Sequence, residues 1–253
     1  MAKLYTKPEQ YLAYCRNTNE KALLHNAIYN NFSHQDPVHI LDIGSGNGIN
    51  TVYLADRFPN TLIDAIENSE EQIKLGMQTR DRWNINYLQI PFEKLRTQRK
   101  YDFVLASHVL QYIDTDVSAF VEKAASMLEL NGDLWIVQQT RIGMYQIINH
   151  QRPFLQDPRF KDWKTFEDYE PIVRDTLDGG NYNIDIDYLG SSFKEINFKD
   201  PSEEDKLRLE FILCLDKPFD QQTPEFKEHL AKLELGSNGR IRHPNGILKI
   251  RRI

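Results

Sequence analysis

The stretch Val38-His39-Ile40-Leu41-Asp42-Ile43-Gly44-Ser45-Gly46-Asn47-Gly48 decides the fold of this chain. An apolar run ends there in glycines at alternate positions, and a helical pattern follows over residues 49–57. This order predicts a buried strand, a tight turn and a helix. Glycines allow a positive φ and let the backbone approach a ligand closely. The turn lies at the carboxyl end of a strand, which is where doubly wound sheets bind ligands.

The spacing of the glycines narrows the kind of ligand. A dinucleotide turn reads Gly-x-Gly-x-x-Gly, whereas here Ile49 stands at the third glycine position. The spacing favours a ligand that carries an amino acid and a nucleoside over one with a pyrophosphate. Glu67, at the end of the second predicted strand, can accept hydrogen bonds from both hydroxyls of a ribose. A helix-capping or surface acid is the alternative for Glu67, and we expect Asp42 to hydrogen-bond the backbone of the turn.

Strand-like and helix-like segments alternate from about residue 38 to residue 139, which predicts an α/β fold with a parallel sheet covered by helices. The further strands of this region are expected at 62–66, 85–89, 101–106 and 133–137. One helix begins at the capping box of Ser69 and Gln72, and another runs over 117–128 until Asn131-Gly132 ends it. Outside this region we expect helices at 22–32, from Ser202 to about residue 215 and from Thr223 to 236, and strands at 184–188 and 246–250.

Composition restricts the class of protein. At 253 residues, with 40% hydrophobic and 27% charged residues, the chain can form one large α/β domain with its own core. A net charge of −6 argues against broad attraction to nucleic acid, and we interpret the basic run over residues 240–252 as a solvated strand edge. Cys15 and Cys214 suit reduced core positions, and no metal-ligand spacing occurs. Without a leader-like N-terminus or a membrane-length apolar run, we expect a cytoplasmic protein with no membrane partner.

Four ordered stretches resemble the motifs of the class I methyltransferases. They are the glycine turn, Glu67, the fourth strand with Ser107 and His108, and the turn at 128–134 before the fifth strand. The resemblance implies a Rossmann-like, doubly wound, mostly parallel seven-stranded sheet with helical cap insertions. It also implies methyl transfer from the cofactor S-adenosylmethionine, and it assigns as cofactor-binding residues Asp42, Gly44, Ser45, Gly46, Glu67, Gln72, Phe92 and Ser107. For Phe92, contact with the adenine and packing in the core are both open.

A fainter resemblance, to histamine N-methyltransferase and its relatives, covers scattered positions that imply a substrate site. His108 takes the position of a substrate-contacting amide, and we assign it as the catalytic residue. The implied substrate-binding residues are Tyr11, Tyr14, Glu20, Gln111, Tyr112 and Asn245. The chain departs from that family at His108 and Gln111, which puts histamine itself in doubt.

Each of these residues also has a structural interpretation. Glu20 completes a capping box with Asn17 for the next helix. His108 suits a structural histidine, and Asn245 lies between a proline and a glycine, as in a plain turn. Aromatic lid or core positions would explain the three tyrosines Tyr11, Tyr14 and Tyr112 equally well.

The sequence therefore predicts a single methyltransferase domain, 1–253. Residues 1–34 would form an N-terminal helical lid, 35–140 the cofactor-binding core, and 141–253 the substrate-cap helices and final strands. The favoured function is methyl transfer by in-line displacement to a small polar acceptor, an amine or imidazole nitrogen. Two alternatives stay open: transfer to a peptide, a protein side chain or an oxygen nucleophile, and a non-catalytic cofactor-binding regulatory module. The sequence leaves the oligomeric state unknown.

Overall fold

A computed structural model of the chain describes residues 8–79, 82–113 and 115–253. Residues 1–7, the first part of the predicted N-terminal lid, lie outside the described residues. The helices are α1 (Pro8–Asn17), α2 (Glu20–Asn31), α3 (Ile49–Arg57), α4 (Glu70–Thr79), α5 (Val117–Ser126), α6 (Met144–Gln151), α7 (Phe166–Leu177), α8 (Glu203–Ile212) and α9 (Pro224–Leu230). The strands are β1 (His39–Ile43), β2 (Leu62–Glu67), β3 (Ile85–Gln89), β4 (Tyr101–Ser107), β5 (Leu128–Gln139), β6 (Tyr182–Leu189), β7 (Ser192–Lys194), β8 (Arg240–Arg242) and β9 (Asn245–Arg252).

The chain divides into two compact units. The sheet unit comprises Leu24–Gln138, Phe166–Tyr188 and Gly246–Ile253. The helical unit comprises the segment that ends at Leu23 together with Gln139–Thr165 and Leu189–Asn245. In the described residues no helix combines the length and the apolar character that a membrane span requires. No group of three or more His, Cys, Asp or Glu side chains in the same residues is arranged to hold a metal ion.

The sheet unit contains a seven-stranded sheet in the order β3-β2-β1-β4-β5-β9-β6. The pairs β2–β3, β1–β2, β1–β4 and β4–β5 are parallel. The predicted α/β class and the doubly wound, mostly parallel seven-stranded sheet are confirmed. The strand order reverses between β1 and β4, so the switch point at which such sheets bind ligands lies at the carboxyl ends of these two strands.

Both faces of this sheet are covered by apolar side chains. On one face α5 and α7 pack together over a core that includes Leu41, Val104, Phe120 and Tyr169. On the other face Phe103 lies 5.6 Å from Trp135 between ring centroids, in an edge-on arrangement. A strand buried on both faces reads as a continuous apolar run, which is why β1 and β4 were predictable.

The ends of three helices and the start of β5 differ from their predicted positions. The fifth helix ends at Ser126, and β5 already begins at Leu128. Leu128 pairs with Tyr101, and the ladder resumes only at the pair of Phe103 and Asp133, so residues 129–132 form an irregularity within the strand instead of a helix cap. The predicted helices that reached residues 215 and 236 likewise end earlier, at Ile212 and Leu230.

The interpretation of the basic C-terminal run as a strand edge was also wrong for β9, which lies between β5 and β6. Its cations are paired with acids of both neighbouring strands. Lys249 Nζ lies 2.8 Å from Asp187 Oδ2, and the Arg251 guanidinium donates to both carboxylate oxygens of Asp133 at 2.8 and 2.7 Å. Paired in this way, the positive charges are compatible with an interior strand.

Candidate cofactor and acceptor sites

The glycine turn after β1 adopts a backbone that only glycine accepts at low cost. Gly44, Gly46 and Gly48 have φ of +68°, +55° and +78°. A Cβ on Gly44 would lie 2.1 Å from Val109 Cγ1, so the turn packs directly against the segment that follows β4. A Cβ on Gly46 would meet no heavy atom within 4 Å, so this part of the turn borders open space. The turn therefore leaves room for a ligand at the switch point of the sheet.

Glu67, at the end of β2, is tied to this turn. One of its carboxylate oxygens, Oε2, accepts a hydrogen bond from Gly46 N at 3.0 Å. The other, Oε1, accepts from the backbone N–H groups of Asn68 and Ser69, both at 2.8 Å. A carboxylate has about four lone-pair sites, so this half-buried group, with three of them taken, keeps one acceptor site on Oε2 while its orientation is fixed. A ribose hydroxyl is a donor that suits this site.

Asp42 and Gln72 lie on either side of this carboxylate in the chain. Asp42 is 1% exposed, and its Oδ2 accepts a hydrogen bond of 2.6 Å from Thr51 Oγ1 in α3, which ties β1 to the helix after the turn. Gln72 is 1% exposed in the first turn of α4, where its backbone N–H donates to Ser69 Oγ at 3.3 Å. The predicted cap at Ser69 is therefore present, and the cofactor contact of Gln72 stays a prediction.

Phe92 and Ser45 have different surroundings. Phe92 is 5% exposed, belongs to the apolar core and lies 4.9 Å from Phe120 between ring centroids. The core-packing alternative thus has direct support, and an adenine contact of Phe92 stays a prediction. Ser45 Oγ is buried and has no hydrogen-bond partner among the described residues. An unpaired buried hydroxyl beside the open space at Gly46 is a candidate contact for a cofactor.

The segment after β4 carries Ser107 and His108 to the same end of the sheet. Ser107 Oγ is buried and has no hydrogen-bond partner in the described part of the chain. His108 has φ +57°, a left-handed conformation that costs free energy in a residue with a Cβ, and its backbone N–H donates to Val137 O at 2.9 Å. Strained backbone clusters at functional positions, so this outlier agrees with a site here. Tyr112 lies half-buried in the turn that follows.

The helical unit brings together three of the residues predicted to bind substrate. Tyr14 and Glu20 are 4% and 2% exposed, and Tyr14 Oη lies 3.3 Å from Glu20 Oε2. Burial, followed by the negative charge of Glu20, raises the pKa of Tyr14 well above its usual value, so the phenol is neutral. The ring of Tyr11 lies 5.3 Å from that of Phe211, which in turn lies 5.1 Å from Tyr14. An acid lined by aromatic rings is an environment that suits an organic cation.

Asn245 belongs to the same unit, is fully buried and is the first residue of β9, so it does not lie in the plain turn that its neighbours suggested. Its Nδ2 donates to Ser191 Oγ at 2.9 Å. His243, two residues earlier, was missed by the sequence analysis; it is also fully buried, and its Nε2 lies 3.9 Å from Glu20 Oε2. Phe193 was missed as well, with its ring 5.7 Å from that of His243. Nothing local marks these two residues, since the contacts join positions far apart in the chain.

A family model described as a methyltransferase domain matches residues 40–132, the part of the chain that holds the glycine turn, Glu67 and His108. Residues 40–132 therefore match a methyltransferase domain, in agreement with the motifs in this part of the chain. S-adenosylmethionine is the methyl donor of the class I methyltransferases that these motifs resemble. The open space at Gly46 and the fixed carboxylate of Glu67 fit such a cofactor.

The relatives agree on the family and differ in what their names say they methylate. A ubiquinone biosynthesis O-methyltransferase of Rickettsia typhi is 33% identical over 45% of this chain and 43% of its own length. A malonyl-[acyl-carrier protein] O-methyltransferase of Ilyobacter polytropus is 30% identical over 34% of each protein. The matches therefore span well under two thirds of these relatives.

Solved structures share the fold over most of the chain. The YcgJ protein of Bacillus subtilis has a TM-score of 0.63 at 15% identity, over 90% of this chain and 98% of that protein. The plantazolicin methyltransferase BpumL, solved with S-adenosylhomocysteine (SAH) and a pentazolic desmethylPZN analogue, has a TM-score of 0.55 at 16% identity, over 92% and 84% of the two chains. At these identities the likeness concerns the fold alone.

Proposed function

We propose that this methyltransferase is an active enzyme that transfers the methyl group of S-adenosylmethionine to a small polar acceptor, an amine or imidazole nitrogen. The observation that carries the transfer is the glycine turn with open space at Gly46, fastened to the carboxylate of Glu67 by a 3.0 Å hydrogen bond. In the proposal Glu67 binds the ribose, and the unpaired hydroxyl of Ser45 contacts the polar part of the ligand.

The cofactor supplies a sulfonium methyl group that is already activated, so the protein has to align a nucleophile, exclude water and manage one proton. The lone pair of the acceptor nitrogen forms the new N–C bond while the S–C bond breaks, which leaves a neutral thioether and moves the positive charge to the nitrogen. His108 is the proposed acceptor of the proton that this nitrogen loses, since an imidazole can act as a general base.

The choice of nitrogen as the methyl acceptor rests on the cluster around Glu20 in the helical unit. The carboxylate of Glu20 is buried beside the rings of Tyr14 and His243, and its Oε1 forms an ion pair of 3.2 Å with Lys21 Nζ. Beside this pair the acid favours a guest that donates a hydrogen bond, and the aromatic rings add cation–π attraction for a positively charged one. An amine or an imidazole has both properties.

Methyl release measured over a panel of amines, carboxylates and peptides tests the proposal. We expect turnover with small amines or imidazoles, and Glu20→Gln should raise their KM at least tenfold while leaving SAH binding unchanged. Glu203→Gln is the matched control, because this acid lies in the same unit with 87% of its side chain exposed. Turnover confined to carboxylates or peptides would contradict the nitrogen acceptor, and an absence of turnover would contradict the activity.

Transfer to oxygen or to a peptide is the second candidate. Transfer to oxygen is favoured by the names of the two relatives reported above, both of which are O-methyltransferases. The same panel decides between the two candidates.

A further inference from the structure

Two glutamine side chains meet at the carboxyl ends of β4 and β5. Ser107, the last residue of β4, pairs with Val137, so Gln138 lies one position further along β5. His108 lies one position beyond Ser107, and its backbone N–H donates to Val137 O. Gln138 is therefore level with His108 at the end of the sheet where the proposed methyl transfer takes place.

The amide of Gln138 has one satisfied and one unsatisfied end. Its Nε2 donates a short hydrogen bond to Gln111 Oε1. Its Oε1 is buried and has no hydrogen-bond partner among residues 8–79, 82–113 and 115–253. The residue as a whole is 0% exposed, whereas its partner Gln111 is half-buried. A buried carbonyl oxygen without a donor costs free energy, and such a group calls for an explanation in a native fold.

We infer that Gln138 determines which acceptors bind, because its Oε1 accepts a hydrogen bond from an N–H or O–H group of the methyl acceptor. This inference rests on the proposed function and adds to it a selection by hydrogen-bonding polarity. An N–H or O–H group beside the nucleophilic atom satisfies the buried oxygen by donating a hydrogen bond to it. An ionised carboxylate brings only oxygens towards it and is rejected.

The chemistry follows from the fixed direction of this amide. Gln111 holds Gln138 by the Nε2 hydrogen bond, so the free oxygen keeps one orientation. A nitrogen or oxygen nucleophile that donates its hydrogen to this oxygen has its lone pair turned away from Gln138. Gln138 thus orients the acceptor by direct contact, whereas His108 receives the proton.

The test uses the full-length protein saturated with SAH, with imidazole as the N–H donor probe and acetate as the carboxylate probe. Binding is followed by NMR through the side-chain amide signals of Gln111 and Gln138, with the Gln138 signals assigned by their loss in Gln138→Met. We expect imidazole to shift these signals and acetate to leave them unchanged. In Gln138→Met, calorimetry should show imidazole bound at least fivefold more weakly, with SAH affinity within twofold of the wild type.

Gln139→Met is the matched control, because Gln139 is the next residue of the same strand, is also buried, and points to the other face of the sheet. It should leave imidazole binding within twofold of the wild type. Gln138→Glu guards against a folding defect, since a protonated carboxyl keeps both the donor to Gln111 and the free oxygen. Imidazole binding to this variant should be retained at low pH and should change as the carboxyl ionises.

Equal imidazole affinity in the wild type and Gln138→Met, with SAH bound, would overturn this inference and leave the proposed function standing. The inference would also be overturned if acetate shifted the amide signals and imidazole did not, because the free end of the Gln138 amide would then be a donor. A failure of the proposed function looks different: SAH does not bind, or SAH binds and no methyl group is released with any acceptor.

Discussion

Replacing Gly46 by alanine separates the contribution of the glycine turn to stability from its contribution to cofactor binding. Gly46 has φ +55°, and a Cβ added there meets no heavy atom within 4 Å. The folded chain has room for the methyl group, so the loss of stability comes from the left-handed backbone alone and amounts to about 1–2 kcal/mol. The same methyl group occupies the open space beside the turn, which is where the proposal puts the cofactor.

The expected effect on binding is larger than the effect on folding. If the methyl group displaces the cofactor from two backbone hydrogen bonds of about 1–1.5 kcal/mol each, the affinity falls about a hundredfold. With SAH at a hundred times the wild-type Kd, the wild type gains about 2.7 kcal/mol of stability and Gly46→Ala gains about 0.4 kcal/mol. For a chain of this size these gains correspond to rises in Tm of about 5–11 °C and about 1–2 °C.

Thermal unfolding with and without SAH measures both quantities, and Gly179→Ala is the control. Gly179 belongs to the same sheet unit, has φ +67° and also has no atom within 4 Å of an added Cβ, but it follows α7 and takes no part in the proposed sites. Without ligand the two variants should unfold at similar temperatures, and only Gly46→Ala should lose the shift that SAH causes. A full SAH shift in Gly46→Ala would refute the reasoning, and so would a much lower ligand-free Tm than that of Gly179→Ala.

Substitutions at three further positions test the packing and the two candidate sites. Gly246→Ala should lower the free energy of unfolding by about 1–3 kcal/mol, because its Cβ would stand 2.3 Å from the ring of Phe166, and an unchanged urea midpoint would contradict this packing. His108→Gly should be about 1 kcal/mol more stable than His108→Ala because φ is +57°, and both should bind SAH but turn over slowly; wild-type turnover in either rejects the catalytic role. The raised pKa of Tyr14, caused by burial and Glu20, means that the neutral phenol stabilises the fold below about pH 10, and this contribution is lost as the pH rises further. Urea unfolding should therefore show a larger loss of stability between about pH 8 and about pH 11 in the wild type than in Tyr14→Phe, and parallel losses would argue against it.

The sequence predicted best what is decided locally. The helix after the glycine turn has the predicted bounds, Ile49–Arg57, because the turn fixes its start and Pro59 limits its end. The cofactor side was predictable for the same reason, since the turn and Glu67 each follow a strand directly. Their hydrogen bond then joins positions 46 and 67 through the pairing of β1 and β2.

What the sequence did not predict depends on pairing across the fold. The start of β5 at Leu128 is set by its partner Tyr101, and the local helical pattern continues past it. Proline is disfavoured inside a helix, yet Pro171 lies inside α7, because the buried face formed by Phe166, Tyr169 and Val173 stabilises the helix around it. Packing of this kind outweighs a local propensity.

The substrate side shows the same limit. Tyr14 and Glu20 were suggested by a short segment near the N-terminus, whereas His243 is more than two hundred residues away and carries no local signal. Gln138 was missed because it is distinguished only by a buried side-chain oxygen without a hydrogen-bond partner, and that property exists only in the folded chain.

The most direct measurement is a calorimetric titration of the wild-type protein and of Glu67→Ala with SAH. We expect one mole of SAH bound per mole of wild-type chain. We expect no measurable heat from Glu67→Ala, because this variant lacks the carboxylate that accepts the hydrogen bonds of the ribose. No heat from the wild type at millimolar SAH, or equal affinity in the two proteins, would contradict it.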